Sequence, residues 1–569
     1  MRRTLIPLAA ACCVLLGTAR PAPTDDFGKP RNFEIVEASI PDLVAALEDG
    51  RVNSKQLVKL YLDRVITYER KLNGYIRVNP FAFAIAHQRD VERAHGRVRG
   101  PLHGVPIVLK DNVHTLDMIT TGGALAFARL RPPYESTLSR KLRAAGAVIL
   151  GKTVLTELAN WVSDHMPANY SAVGGYGMNP YDPRPDPRHI IVSGHHFADD
   201  GRPVMSTGGS SSGIATSANL AAANVGTETS GSILSPSNQT MLAGIKPTVG
   251  LISRYGVIPI TADQDTAGPM ARDVASAAIM LGVMQGFDPH DPATAACLAP
   301  GNCLDDYTTF LQAGGLAGAR IGVPQAGFYS ALNDAQRAVV DEAIAIIRAA
   351  GATVEFTDIP SQVDGTLPAW GVCATATQNK GNDSAYSVVL KYGFKRDFKA
   401  WLDSLGHASR IDSLTELIQF NLANADRNAI RYEQARLDIS EEMDVAADAA
   451  RYAADRARDI LLTATNGIDA TLAAGRFDAL LFGGSSSAGL AARPGYPTVI
   501  VPFGFVPNAL ADLPPDFDPQ PQPYGISFTG SAFDEPTLIR LAYAFEQASR
   551  RRVSPPSAPP LEKGGKGPS

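Results

Sequence analysis

Two serine and glycine clusters are the first residues in this chain of 569 whose types and spacing could do chemistry. Residues 206–213 read Ser-Thr-Gly-Gly-Ser-Ser-Ser-Gly, and a second cluster runs Gly226-Thr227-Glu228-Thr229-Ser230-Gly231-Ser232-Ile233. A Gly-Ser turn that opens a helix points several backbone N–H groups outward, which suits it to hold an anion or an oxyanion. A serine hydroxyl is a poor nucleophile until a base removes its proton. Of the ten histidines, only His290 and His407 follow the serine clusters. The other candidate base is Lys110, which ends the apolar run Gly104-Val105-Pro106-Ile107-Val108-Leu109. Lysine is almost never fully buried unless paired, and desolvation favours its neutral amine, a competent base. Residue types alone leave alternatives open: a lysine that snorkels at a strand end, a flexible serine loop, or a nucleophile elbow. Gly209-Ser210-Ser211-Ser212-Gly213 satisfies the G-x-S-x-G pattern, which would make Ser211 the nucleophile with a later Asp and His.

Four motifs in a fixed order narrow the choice. Pro101-Leu102-His103-Gly104-Val105-Pro106 through Lys110-Asp111-Asn112, the turn Gly208–Gly213, the segment Gly226–Ile233, and Gly244-Ile245-Lys246-Pro247-Thr248 resemble those of the amidase signature family of serine amidohydrolases. The resemblance covers most of residues 35–550 and is closest to the peptide-amidase-like branch. It implies an α/β fold, a large mixed β-sheet flanked by helices on both faces. It also implies hydrolysis of a carboxylic amide through an acyl-serine, with Ser232 as nucleophile, Ser210 as bridging serine after a cis Gly209–Ser210 bond, and Lys110 as base. Backbone N–H groups of Thr229, Ser230, Gly231 and Ser232 would form the oxyanion hole. No metal or organic cofactor is implied, and the partner is a small-molecule or peptide amide. The chain departs from the family pattern at Ser230, where a glycine is common, and at Leu234, where many members carry arginine. Two further readings compete with the amidase: a catalytically dead binding protein, and a relative of the A subunit of the aspartyl/glutamyl-tRNA amidotransferase. Retention of Lys110, Ser210 and Ser232 argues against the first, and a leader peptide against the second.

The elements that must position these residues follow from periodicity. Apolar spacing from Val36 to Glu69 predicts two helices, with Asn53-Ser54 as a cap between them. Strand signals at 104–109 and 147–150, with Gly151 as a turn, alternate with a helix at 138–145. The order repeats at 320–323, 335–350 and 353–356, and short apolar runs at 479–482 and 498–501 return to the sheet. Residues 385–465 carry long helical periodicity and are expected to form a helical lobe within an amidase domain of 35–550. The stretch 179–202, rich in Pro, Asp and His, reads as a long surface loop and a candidate lid. The expected pocket draws on Asn160-Trp161, the loop 165–205, the helical lobe and residues 483–530, with Gly483–Ser487 shaping a wall.

Composition sets the remaining bounds. The formal charge of −5 supplies no basic excess to neutralise a phosphate backbone, which argues against nucleic-acid binding. Met1-Arg2-Arg3, the apolar run Leu5 to Gly17 and small residues to Ala19 have the anatomy of an export signal, so residues 1–19 are expected to be cleaved and 20–34 to form a linker. The protein would then be periplasmic or secreted, without stable membrane insertion. Cys297, Cys303 and Cys373 remain; the first two either close a small loop or stay free thiols. The tail 551–569, mostly Pro, Gly, Ser and Lys, is expected to be disordered.

Overall fold

Helices α1 (Ile40–Glu48) and α2 (Ser54–Leu72) open the fold, and each begins with a reciprocal capping box, Ser39 with Asp42 and Asn53 with Gln56. Two orphan N–H donors are satisfied at each start, which is why the chain breaks at Asn53 rather than running on as one helix. The computed structural model describes residues 33–192, 195–197, 200–209 and 213–562. The expected export signal, nearly all of the expected linker, Ser210, Ser211, the implied cis bond at Ser210 and residues 563–569 lie outside the described residues.

The centre is a single mixed sheet of 11 strands. In chain order these are β1 (Tyr75–Val78), β2 (Pro106–Lys110), β3 (Val148–Thr153), β4 (Asn224–Glu228), β5 (Ala243–Lys246) and β6 (Thr266–Ala271). They continue with β7 (Arg320–Pro324), β8 (Thr353–Thr357), β9 (Ala479–Gly483), β10 (Thr498–Val506) and β11 (Gln522–Thr529). Across the sheet they run β1-β3-β2-β4-β6-β5-β10-β11-β9-β7-β8. Strands β3, β2 and β4 are parallel, as are β9, β7 and β8, while antiparallel pairs join the two groups. Every residue of β2 to β6 is buried, so both faces are covered, and Lys110, Lys152, Glu228 and Lys246 are the charged residues these strands bury.

Gly151 is a correction to the expected turn: β3 runs through it to Thr153. A register shift places Val108 opposite Gly151 straight after Ile107 opposite Ile149. A Cβ at Gly151 would sit 2.4 Å from the Arg77 carbonyl of β1, so glycine serves a close approach between strands there. The glycine-serine cluster likewise opens only a single helical turn, α3 (Ile214–Ser217), before Asn219 turns into a positive φ and β4 begins. Helix α4 (Leu234–Gln239) follows the second cluster.

Helix α5 (Val389–Leu405) leads a group of helices through residue 460, whose Phe394, Phe398 and Trp401 pack against Phe127, Leu158 and Trp161. Within 179–202, Ile190–Val192 pairs with His195–Phe197, and arginines two residues on bind Asp182, Asp186 and Asp200. This segment is folded by local ion pairs rather than by apolar periodicity. Cys297 and Cys303 form a disulfide, and Cys373 is free and buried. No described helix is long and apolar enough to cross a membrane.

The described part of the tail, 551–562, differs from the expected disorder. Arg552 donates to both carboxylate oxygens of Glu37, at 2.6 and 2.9 Å, and to the Ser217 carbonyl at the end of α3. Ala558 is fully buried, its carbonyl accepting from Arg64 at 2.6 Å, and Tyr68 donates to the Pro559 carbonyl at 2.7 Å. Composition counts side chains that can build a core; here the body's buried arginine and tyrosine hold the tail by its backbone.

Candidate active site

Lys110 closes β2 in the sheet interior and is fully buried. Its Nζ donates to Thr227 Oγ1 at 2.7 Å on the neighbouring β4 and lies 3.3 Å from the Thr227 carbonyl. Thr227 Oγ1 also accepts from Asn112 Nδ2 at 3.0 Å. Burial pushes the Lys110 ammonium down to about 7, against the opposing pull of the Asp265 and Glu228 carboxylates. Near neutrality much of Lys110 is therefore an uncharged amine, able to take a proton.

Glu228, the last residue of β4, organises the turn that carries Ser232. Its Oε1 accepts from Gly231 N at 2.8 Å, and its Oε2 accepts from Ile233 N at 2.7 Å and Leu234 N at 2.9 Å. The chain wraps round this buried carboxylate with Gly231 at φ +89°. Ser232 sits at the apex, 8% exposed. The Gly231 N–H is thus engaged by Glu228, and of the four expected oxyanion donors Thr229, Ser230 and Ser232 keep a backbone N–H not bonded to Glu228. Ser230 is exposed, and the Thr229 hydroxyl donates to Asp265 Oδ1 at 2.5 Å. Asp265 also accepts from Ile260 N and Thr261 N, and burial pushes its carboxyl up to about 7.

The first cluster reaches the second through glycine. A Cβ at Gly209 would lie 2.7 Å from Ser232 Cα, and one at Gly208, φ +79°, would lie 2.4 Å from the Pro236 nitrogen. Only glycine lets these two backbones touch. The structure therefore brings Lys110, the residue preceding Ser210, and the turn Thr229–Ser232 to the carboxyl ends of β2 and β4. His290 lines the cavity beside this group, stacked on Tyr255 with Nδ1 2.9 Å from Asp288, and His407 is exposed after α5.

A cavity of about 370 Å³ opens beside this group, reaching Thr227 and Thr229. Its walls come from the segment 254–262, from Ala400, Trp401 and Ser404 of α5, and from Tyr134 and Ala159. The helical lobe contributes as expected. Trp161 does not; it is core, donating to Ser440 Oγ at 3.0 Å. The loop 165–205 instead lines a separate cavity of about 490 Å³ together with Pro507–Leu510. Gly483–Ser486 line a third, and Ala488 faces Gly231. The wall at 254–262 and the roles of Glu228 and Asp265 are absent from the sequence reading. The segment has no periodicity, and a carboxylate that binds backbone N–H groups has no spacing signature.

Known proteins resemble this chain along nearly its whole length. The amidase family profile matches residues 56–187 and 199–539. A protein of Arabidopsis thaliana named as a probable amidase is 34% identical over 532 residues, covering 92% of each chain. The native peptide amidase of Stenotrophomonas maltophilia superposes with a TM-score of 0.77 at 36% identity, over 91% of this chain and 98% of that one. A peptide amidase in complex with the competitive inhibitor chymostatin superposes with a TM-score of 0.78, also at 36% identity, over 92% of this chain and 100% of that one. With the expected mixed sheet and motifs in place, the chain belongs to the amidase family and is a hydrolase acting on amides.

Proposed function

We propose that the protein cleaves a carboxylic amide C–N bond through an acyl-Ser232 intermediate, with Lys110 as the base and Ser210 as the relay between them. Neutral Lys110 takes a proton from Ser210 as Ser210 takes one from Ser232, and Ser232 Oγ adds to the amide carbonyl. Backbone N–H groups of Thr229, Ser230 and Ser232 receive the developing oxyanion, while Gly231 holds the turn on Glu228. The relay then returns the proton to the departing nitrogen as the C–N bond breaks. A water, deprotonated through the same groups, adds to the acyl carbon and releases the acid and Ser232. The observation that carries this reading is Lys110: fully buried, bonded to Thr227 on the next strand, and held near the midpoint of its titration at neutral pH. The resemblance to the peptide amidase supports peptide amides as substrates. The signal-like pattern of residues 1–19 supports action outside the cytoplasm.

Labelling the purified full chain with a fluorophosphonate, followed by peptide mass spectrometry, tests the assignment. An adduct on Ser232 that disappears in Lys110→Ala is expected. An adduct on Ser211 would replace the mechanism with a nucleophile elbow, and no adduct at all would favour a binding protein.

A further inference from the structure

The cavity that reaches Thr229 is built unevenly. On one side Tyr134, Tyr255 and His290 form a continuous stack, with ring centroids 4.6 Å apart for the tyrosines and 4.5 Å for Tyr255 and His290. The Tyr134 hydroxyl is engaged by Ser404 Oγ at 2.6 Å, and the Trp401 N–H by His114 Nε2 at 3.1 Å. What these rings offer a ligand is mainly carbon surface, and Val257 to Ile260 supply more.

The charges at the cavity point the same way. Its lining holds one guanidinium, Arg254, against the carboxylates of Asp265, Asp291 and Asp397. Arg254 is engaged on both forks: Nε and Nη2 bind Asp291 at 2.8 and 2.6 Å, and Nη1 donates to the Ala262 carbonyl. Asp291 is held by Arg254 and Asp397 by Arg396, so an anionic group entering here would lose its water and find no uncommitted guanidinium in the lining, an arrangement that disfavours it. Asn112 borders the cavity at 2% exposure, its Nδ2 committed to Thr227 Oγ1, so it offers no charge to an entering group.

We infer that this cavity receives the side chain on the acyl part of the substrate, selecting amides with an uncharged aromatic or branched aliphatic side chain and rejecting those with a carboxylate. The inference rests on the amidase mechanism proposed above and adds the substrate class.

A matched series tests it with the full chain: the N-acetyl amides of phenylalanine, leucine, glycine and glutamate. The phenylalanine and leucine amides are expected to exceed the glutamate amide in kcat/KM by about tenfold to hundredfold, the range over which pocket contacts discriminate. Ala400 is exposed on α5 at the cavity wall, so Ala400→Trp fills the space without disturbing the core. In that variant the phenylalanine-to-glycine ratio of kcat/KM should fall about tenfold. Equal turnover of the phenylalanine and glutamate amides, or a ratio unchanged in Ala400→Trp, would overturn the inference while leaving the amidase mechanism intact. Turnover of none of the four, with no label on Ser232, would remove the mechanism itself and the inference with it.

Discussion

Two lysines lie near the ends of neighbouring strands of the same sheet, and both are fully buried. Lys110 closes β2 beside Thr153, and Lys152 lies beside Leu109 on β3. Lys152 Nζ is 3.6 Å from Asp111 Oδ1, 2.5 Å from the Val113 carbonyl and 3.0 Å from Thr120 Oγ1. Burial lowers its pKa and the Asp111 carboxylate pulls it back, as expected of an ion pair that ties two segments together. Lys110 faces the other neighbour, where Thr227 Oγ1 accepts from it and the carboxylates of Asp265 and Glu228 act from further along the turn. Burial alone therefore does not make a base. On the proposed mechanism, the partner across the sheet decides whether a desolvated amine becomes a strut or a proton acceptor.

Exchanging the two roles gives the largest effects. Lys110→Met should reduce kcat/KM by about 10²- to 10⁴-fold, the usual contribution of a general base, while the denaturation midpoint holds or rises because a desolvated amine is gone. Lys152→Met should do the opposite to the fold: leaving Asp111 buried without its cation costs about 3–5 kcal/mol, measurable by urea unfolding. Comparable destabilisation by both variants would break the comparison.

Smaller changes sharpen it. Glu228→Gln weakens the carboxylate bonds to Gly231, Ile233 and Leu234, each worth about 1.5–3 kcal/mol when the acceptor is charged. Steady-state assays should show kcat lower by about tenfold to hundredfold as the Ser232 turn loosens. Asp265→Asn removes the charge that Asp265, itself titrating at about 7, sets against the Lys110 ammonium as it ionises. The Lys110 pKa should fall, moving the acidic limb of the kcat/KM profile to lower pH, and a shift to higher pH would contradict the assigned sign.

Much of this was legible in sequence where a local pattern forces a local structure. The capping residue Asn53 and the strands near 106–110, 320–324 and 479–483 all follow from short-range rules. Lys110 stood out because a charged residue at the end of an apolar run is physically unusual. What escaped depends on distant partners. Strand β4 is Asn-Val-Gly-Thr-Glu, three of its five residues being types depleted in strands, and is a strand because β2 and β6 flank it. The packed tail depends on Arg64, Tyr68 and Glu37, hundreds of residues upstream. The cavity wall at 254–262 is irregular backbone held by Asp265 and Asp291, which no periodicity reveals.

The most direct test of the central claim is the rate of Ser232 labelling by a fluorophosphonate, measured against pH from about 5 to about 10. If Lys110 is the base, the rate is negligible in acid and rises through a single inflection near 7 to a plateau, and the limb disappears in Lys110→Met. A rate that rises only near 10, where an ordinary lysine titrates, or one that follows the same curve without Lys110, would contradict the account.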